Sequence, residues 1–193
     1  MTEKIILRLT RGMNISQEEM EIISYGLYSI LSKGSGLLLP MPIVLFLGLW
    51  REYILFYILF SILRPQSGGY HADTKVHCVI ISFILSLMAV IGVKLWEPYY
   101  LDKGLWFFAL ILLLEIAIGM IAPVDVVNKR LTKEEKKYYR KKVIILLLIM
   151  NLILAACVYL KIMFYAYVMV QVLLCQILLL IGGGIKNNMT RHK

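Results

Sequence analysis

The residues of this chain that are best suited to chemistry lie in one short polar segment, residues 64–78, between two apolar runs. The segment contains a pair of glycines, two of the chain's three histidines and one of its three cysteines. A cysteine thiolate is a strong nucleophile, and a histidine can accept a proton near neutral pH. The composition of the segment therefore predicts a thiol enzyme with a cysteine nucleophile and a histidine base.

Cys78 is the candidate nucleophile because of its position in this segment. Asp73 or Thr74 is a good N-cap for a helix that follows directly, which places Cys78 in the first helical turn or just beyond it. Unpaired backbone N–H groups and the helix dipole stabilise a thiolate at such a position. The other two cysteines, Cys157 and Cys175, lie inside long apolar runs and are interpreted as small buried side chains.

Two histidines compete for the role of the base. His77 is adjacent to Cys78, and neighbouring side chains on a helix do not face each other. His71 precedes Cys78 by seven residues, roughly 10 Å along a straight helix, so the chain must bend to bring the two together. The flexible pair Gly68-Gly69 allows a loop of this kind. The spacing favours His71, but both histidines could equally be solvated residues at the membrane interface.

Other residues of the segment suit supporting roles. The backbone N–H groups of Gly68 and Gly69 could form an oxyanion hole, to which Gln66 could add a side-chain donor. Arg64 could bind a substrate carboxylate or orient the loop. The alternative for Arg64 is a basic residue that merely flanks the apolar run before it.

A zinc ion bound by His71, His77 and Cys78 is another use of the same side chains. The three residues lack the spacing typical of zinc ligands, and no fourth ligand is evident. We therefore expect neither a metal nor another cofactor.

The whole chain is too apolar for a soluble protein. Its 193 residues are 60% hydrophobic with a mean hydropathy of +0.78, whereas soluble domains are about 45–50% apolar. Lipid must cover the surplus, so residues 1–193 should form a single all-α membrane domain, a polytopic helical bundle. We predict six transmembrane helices, or four if residues 22–63 only dip into the membrane. The apolar runs are 22–50, 53–63, 76–96, 105–121, 143–160 and 162–181, and the glycines at 182–184 are expected to end the last helix.

Basic residues flank these runs and predict the topology. The net charge is +9, and Lys and Arg residues cluster in residues 1–21, in the loop 125–142 and at the C-terminus. The positive-inside rule places these regions and the segment 64–78 on the cytoplasmic side. The same pattern favours contact with anionic lipids over nucleic-acid binding. Residues 1–21 are polar or amphipathic and lack the apolar core of a cleavable signal peptide.

The basic loop contains its own helix signal. Thr132 followed three residues later by Glu135 is a capping box. It predicts a short amphipathic cytoplasmic helix that runs into the span beginning at Val143.

The segment 64–78 resembles the accessory gene regulator protein B (AgrB) family. The family pattern is an arginine, a glycine pair leading into Tyr-His-Ala, and a cysteine seven residues after the histidine. Here the pattern is Arg64, Gly68-Gly69-Tyr70-His71-Ala72 and Cys78. A second, weaker patch is Ala122-Pro123-Val124-Asp125 with Asn128-Lys129. Length, multiple spans and the basic loop also match, so the resemblance covers nearly the whole chain.

The resemblance implies a specific activity. Members of the family are bacterial membrane cysteine endopeptidases that process a short precursor peptide of the AgrD type in quorum sensing. It implies that His71 and Cys78 are the catalytic pair and that Arg64 and Gly69 are also important. It further implies a location in the bacterial cell membrane, and it suggests a homodimer.

From the resemblance and the chemistry together we expect the following reaction. Cys78 cleaves an acidic C-terminal tail from the AgrD-like precursor and retains the rest as a thioester. An internal thiol or hydroxyl of the peptide then closes a thiolactone or lactone ring. The tail is expected to dock on the basic loop, although these residues could equally serve topology and lipid contact: Lys129, Arg130, Lys133, Lys136 and Lys137.

Two other classes of function remain open from the sequence. A small transporter or peptide exporter without covalent catalysis would use polar residues inside the spans, such as Lys33, Glu115, Asn151 and Gln171. Such a protein would not need the thiol of Cys78. A structural or regulatory membrane subunit would need neither set of residues.

Overall fold

The protein is a bundle of α-helices, as the sequence predicts. The structure, a computed structural model, describes residues 16–70, 72, 74–100, 104–125 and 131–191. Within these residues the regular elements are all helical, apart from one isolated β-bridge. They are α1 (Gln17–Leu38), α2 (Met41–Phe46), α3 (Trp50–Ser67), α4 (Lys75–Tyr100), α5 (Gly104–Ile121), α6 (Lys133–Tyr159) and α7 (Phe164–Arg191).

Three segments are long and apolar enough to cross a membrane: Val76–Leu95, Lys133–Tyr159 and Phe164–Met189. Gly34–Phe46 and Phe107–Ile121 are shorter apolar helical stretches. The prediction of an all-α polytopic membrane protein is thereby confirmed. The number of crossings, six or four, and the side of each terminus stay predictions.

Helix α7 is the centre of the bundle. It packs against α3, α4, α5 and α6. Every residue from Tyr165 to Leu173 is buried, whereas α4 and α6 leave most of their apolar side chains at least partly exposed. Outward-facing apolar side chains are what a lipid environment requires. Any backbone segment packed on α7 is therefore held by the most buried of the three candidate spans.

The predicted capping box at the start of α6 is confirmed. The Thr132 hydroxyl accepts the Glu135 N–H at 3.2 Å, and the Glu135 carboxylate accepts the Thr132 N–H at 2.8 Å. The helix that begins there continues without a break from the basic residues to Tyr159. The cap depends only on contacts within four consecutive residues, Thr132 to Glu135, which explains why it could be predicted from the sequence.

The predicted end of the last helix at residues 182–184 is wrong. Helix α7 continues through the three glycines to Arg191. An isolated helix is weakened by glycine, but tertiary packing overrides this preference. Here Gly183 lies directly against the backbone of Gly69, so this glycine serves close packing instead of termination.

Candidate active site

Arg64, in the last turn of α3, is folded over the loop that follows its own helix. Its Nη1 donates a hydrogen bond to the Gly68 carbonyl, and its Nη2 donates to the Tyr70 carbonyl. The planar guanidinium suits two acceptors at once in a way that an ammonium does not. Of the two functions that the sequence offered for Arg64, this geometry favours orientation of the loop.

Arg64 also interacts electrostatically with the candidate nucleophile. Arg64 lies beyond the apolar run of α3 and outside the three candidate spans. Burial lowers the pKa of Arg64 to about 10, and the negative charge of the Cys78 thiolate acts in the opposite direction. The arginine remains protonated near pH 7, so it presents a positive charge within electrostatic range of the Cys78 sulfur.

Both residues of the glycine pair adopt positive φ angles, 71° at Gly68 and 113° at Gly69. There is also no space for a side chain at either position. A Cβ at Gly69 would lie 2.7 Å from both Arg64 Nη1 and the Leu179 carbonyl oxygen, and a Cβ at Gly68 would overlap the Val124 carbonyl. Two independent constraints, conformation and close approach, therefore require glycine at both positions.

The N–H groups of this loop are not equally available. The Gly68 N–H donates to the Arg64 carbonyl at 3.2 Å, and the Tyr70 N–H donates to the Leu179 carbonyl at 2.7 Å. The Gly69 N–H has no hydrogen-bond partner among the described residues. Of the two backbone donors suggested by the sequence, the Gly69 N–H is therefore the one without a partner among the described residues, and Gly69 itself is buried.

The loop is held from one side by the chain after α5. Gly68 and Val124 form the isolated bridge, with the Val124 N–H donating to the Ser67 carbonyl at 3.1 Å. The next residue, Asp125, is paired with Lys136 of α6 at 2.7 Å. The two patches that carry the family resemblance, 64–78 and 122–125, are thus in direct contact.

Helix α7 holds the loop from another side. The Gln176 amide, fully buried, donates to the Gly68 carbonyl at 3.2 Å. A Cβ at Gly183 would lie 2.6 Å from the Gly69 carbonyl carbon, and one at Gly182 would meet the Tyr70 side chain at 3.6 Å. Sequence reasoning missed these residues of α7. The signal was present as a glutamine inside an apolar run and a glycine triplet.

The start of α4 places Cys78 as predicted. The Thr74 hydroxyl accepts the His77 N–H at 3.3 Å, so Thr74 is the N-cap, and the Cys78 N–H makes a helical bond to the Thr74 carbonyl at 3.1 Å. The Cys78 side chain is exposed. The His77 ring nitrogen Nδ1 lies 2.7 Å from the Thr74 hydroxyl and is therefore occupied by the cap. His71 and Asp73 lie outside the described residues.

Comparison with known proteins identifies the family. The model of the accessory gene regulator B family matches residues 2–180. The chain belongs to the AgrB family.

Two curated relatives come from Clostridium perfringens. AgrB-like protein 2 of strain 13 / Type A is 26% identical over 135 residues, which cover 66% of this chain and 61% of the relative. An AgrB-like protein of strain SM101 / Type A is 27% identical over 135 residues with the same coverage. The chain spans about three-fifths of the length of the curated relatives it matches. No solved structure matches it.

Gln66, the suggested side-chain donor, lies in the last turn of α3 in this AgrB family member. Its Oε1 atom is buried and has no hydrogen-bond partner within the described part of the chain. A buried amide oxygen without a partner is costly. The unpartnered atom of Gln66 is therefore an acceptor, whereas the sequence suggested this side chain as a donor. Among the described residues, Gln66 lies next to the loop without a hydrogen bond to it.

The basic residues proposed for docking divide into two groups. Lys133 and Lys137 are exposed one turn apart on α6. Lys136 is paired with Asp125, so this cation supports the fold. The remaining candidates, Lys129 and Arg130, lie outside the described residues.

Three of the polar residues that a transporter would use, Glu115, Asn151 and Gln171, lie far in sequence from the glycine loop (residues 68–70) and contact other residues. The side chain of the fourth, Lys33, lies outside the described part of the structure. Glu115 of α5 is buried, and its carboxylate accepts a hydrogen bond from Asn151 of α6 at 2.7 Å. Gln171 of α7 lies against Gly92 of α4, where a Cβ would be 2.9 Å from the amide nitrogen. Among the described residues, no group of three or more His, Cys, Asp or Glu side chains is arranged to hold a metal.

Proposed function

We propose that this protein is a membrane cysteine endopeptidase that removes the C-terminal tail of an AgrD-like precursor peptide. The observation that carries the proposal is the placement of Arg64. Its guanidinium binds the glycine loop at the Gly68 and Tyr70 carbonyls, and it also interacts electrostatically with the exposed Cys78. The thiolate is the reactive form of cysteine. Membership of the AgrB family supports the choice of a peptide as the substrate.

The first half-reaction forms a thioester. His71 accepts the proton of Cys78, and the sulfur attacks the carbonyl carbon of the scissile peptide bond. The Gly69 N–H donates to the oxyanion that develops. The C–N bond then breaks, His71 returns the proton to the leaving amine, and the tail departs while the rest of the peptide stays bonded to sulfur.

The second half-reaction closes a ring. A thiol or hydroxyl within the bound peptide attacks the thioester carbonyl, loses its proton to His71 and displaces the Cys78 sulfur. A thioester retains much of the free energy of an activated acyl group, so the step needs no nucleotide. Water would compete for the same carbonyl, so a site at the membrane surface that excludes it favours the cyclic thiolactone or lactone.

The exposed cations of α6 are the proposed docking site for an acidic tail. Lys133 and Lys137 present their charges to the solvent, and Lys129 and Arg130 precede them in sequence. Charge attraction of this kind raises the rate of encounter and orients the approaching peptide. Lys136 is a weaker candidate because its ammonium is already paired with Asp125. Contact with anionic lipid headgroups would use the same side chains.

The proposed arrangement in the bacterial cell membrane follows the distribution of charge. Both termini, the segment 64–78 and the loop 125–142 lie on the cytoplasmic side, connected by six crossings. A precursor that lies on the cytoplasmic surface would then meet Cys78 directly. A homodimer remains a prediction from the family.

The test is mass spectrometry of a candidate precursor co-expressed with the protein. We expect the wild-type protein to remove the tail and to carry a thioester adduct on Cys78. Cys157→Ala is the matched control because it removes a thiol from a lipid-facing helix far from the loop in sequence, and it should cleave normally. Cleavage should be absent with Cys78→Ala, and unchanged cleavage by that variant would refute the proposal.

A further inference from the structure

One peptide group of the glycine loop is bound at its oxygen by two donors. The Gly68 carbonyl accepts hydrogen bonds from Arg64 Nη1 and from Gln176 Nε2, the latter at 3.2 Å. A peptide group is planar, and the N–H at its other end belongs to Gly69. Fixing the oxygen of Gly68 therefore fixes the direction in which the Gly69 N–H points.

The same two bonds affect the strength of that N–H as a donor. Hydrogen bonds to a carbonyl polarise the amide, and bonds in a chain reinforce one another. One of the donors at the Gly68 carbonyl is charged, which makes the polarisation larger. A more strongly polarised Gly69 N–H better stabilises negative charge on an oxygen that accepts its hydrogen bond.

Helix α7 fixes the loop at two further points. The Leu179 carbonyl accepts the Tyr70 N–H at 2.7 Å, and Gly183 approaches so closely that a Cβ would lie 2.6 Å from the Gly69 carbonyl carbon. Gln176, Leu179 and Gly183 follow one another at intervals of three and four residues, which places them on one face of the helix. The loop thus rests on a single continuous surface of α7.

The burial of Gln176 needs an explanation that apolar packing does not give. The side chain has no exposed surface, and its Oε1 has no partner among the described residues. A buried polar group inside a membrane helix is expensive and is characteristic of functional positions. The only use the structure gives this amide, within the described residues, is its bond to the Gly68 carbonyl.

We infer that Gln176 is a positioning residue of the active site, which aims and polarises the Gly68–Gly69 peptide so that the Gly69 N–H serves as the oxyanion donor. The inference rests on the proposed function. Gln176 itself touches no reacting atom, so its removal slows the step in which an oxyanion forms and leaves the Cys78 thiol chemically intact.

The first test replaces the amide by a side chain of similar shape, Gln176→Met. The matched control is Gln171→Met, which changes another buried glutamine of the same helix, one that lies against Gly92. We expect kcat for tail removal to fall about tenfold in Gln176→Met, with little change in KM, since one neutral hydrogen bond is lost. Gln171→Met should retain wild-type kcat.

Alkylation of Cys78 by iodoacetamide separates positioning from general damage. This reaction displaces iodide from a saturated carbon and forms no oxyanion. Gln176→Met should therefore react at the wild-type rate while its acyl transfer is slow. A variant that was simply misfolded would change in both reactions.

A second pair of variants tests the surface of α7 without touching the glutamine. In Gly183→Ala the new methyl group collides with the Gly69 backbone, whereas in Gly184→Ala it meets nothing within 4 Å. Alanine favours a helix over glycine, so neither change weakens α7 itself. We expect tail removal to be lost in Gly183→Ala and retained in Gly184→Ala.

Hydrogen exchange in lipid nanodiscs makes the outcome independent of the substrate. The Tyr70 amide should exchange several-fold faster in Gln176→Met than in the wild type or in Gln171→Met. If the Tyr70 amide exchanges faster in Gln176→Met but the wild-type protein does not remove the tail, the result would support the positioning role and reject the proposed endopeptidase. Unchanged exchange, or unchanged kcat in an active enzyme, would overturn the inference about Gln176.

Discussion

Among the residues that the structure describes, two groups of buried or partly buried polar side chains are organised differently. Around the glycine loop, Arg64 and Gln176 direct their donors to backbone carbonyls, so the side chains determine where a short stretch of main chain lies. Between α5 and α6, Glu115 and Asn151 bond to each other across two helices. The first arrangement shapes a backbone, whereas the second joins helices.

The difference indicates where chemistry is to be expected. A loop of glycines at positive φ is strained for other residues and persists only because its surroundings hold it, which is typical of sites that need a defined backbone geometry. A pair of polar side chains between transmembrane helices adds modest stability and needs no particular backbone. Substitutions should therefore affect activity strongly in the first group and weakly in the second.

Among the substitutions that compare the glycine loop with the α5–α6 pair, Gly69→Ala is expected to have the largest effect. The new methyl group would lie 2.7 Å from the Leu179 carbonyl oxygen and from Arg64 Nη1, at a φ that alanine avoids. Displacement of the Gly69 N–H, the proposed oxyanion donor, should reduce kcat by about 10²-fold or more. Tail removal measured by mass spectrometry checks this. Gly119→Ala, where a Cβ meets nothing within 4 Å, is the control, and equal losses in both variants would argue against a special role for the loop.

An intermediate effect is expected for Arg64→Lys. Lysine keeps the positive charge near Cys78 but cannot donate to the Gly68 and Tyr70 carbonyls in the same fixed geometry. We expect kcat to fall about tenfold or more, with the protein still present in the membrane.

Arg140 offers a matched comparison for that variant. It also donates to two backbone carbonyls, those of Ala122 and Met120, but it does so at the end of α5. Arg140→Lys should reduce kcat much less than Arg64→Lys. If the two variants were equally impaired, the importance of Arg64 would be structural alone.

The smallest effect is expected for Glu115→Gln. An amide can still accept the hydrogen bond from Asn151, so helix packing is preserved while the acidic group is lost. Tail removal should stay within about twofold of the wild type, because a side-chain hydrogen bond between membrane helices is worth about 0.6 kcal/mol on average. A complete loss of function in Glu115→Gln with normal cleavage by Cys78→Ala would instead favour the transporter.

Features that depend on neighbouring residues could be predicted from the sequence. The Thr132 cap of α6 and the Thr74 cap before Cys78 each involve a hydroxyl and an N–H three residues later. The membrane class followed from composition, because a chain that is 60% hydrophobic must meet lipid. The occurrence of an arginine and a glycine pair near the candidate nucleophile was also visible within the single segment 64–78.

Features that depend on distant contacts could not. The continuation of α7 through residues 182–184 is stabilised by packing against Gly69, far earlier in the chain. The partner of Gln176 lies equally far away, at Gly68. The sequence also could not predict which backbone N–H of the loop lacks a partner, because the Tyr70 N–H donates to the distant Leu179 carbonyl. Glycine weakens an isolated helix, but in a packed bundle it allows two backbones to approach closely. Only the first effect can be predicted from the sequence alone.

The ion pair between Asp125 and Lys136 has a consequence for biosynthesis. Asp125 also accepts a hydrogen bond at its carbonyl from Asn187, and its neighbour Val124 pairs with Gly68. Parts of the chain from positions 68, 125, 136 and 187 therefore meet at one end of the bundle. The chain therefore leaves this end along α4 and returns along α5, and it leaves again along α6 and returns along α7. The loop of residues 68–70 cannot make its contacts with Gln176, Leu179 and Gly183 until α7 has been synthesised, so the candidate site is completed only by the last helix of the chain.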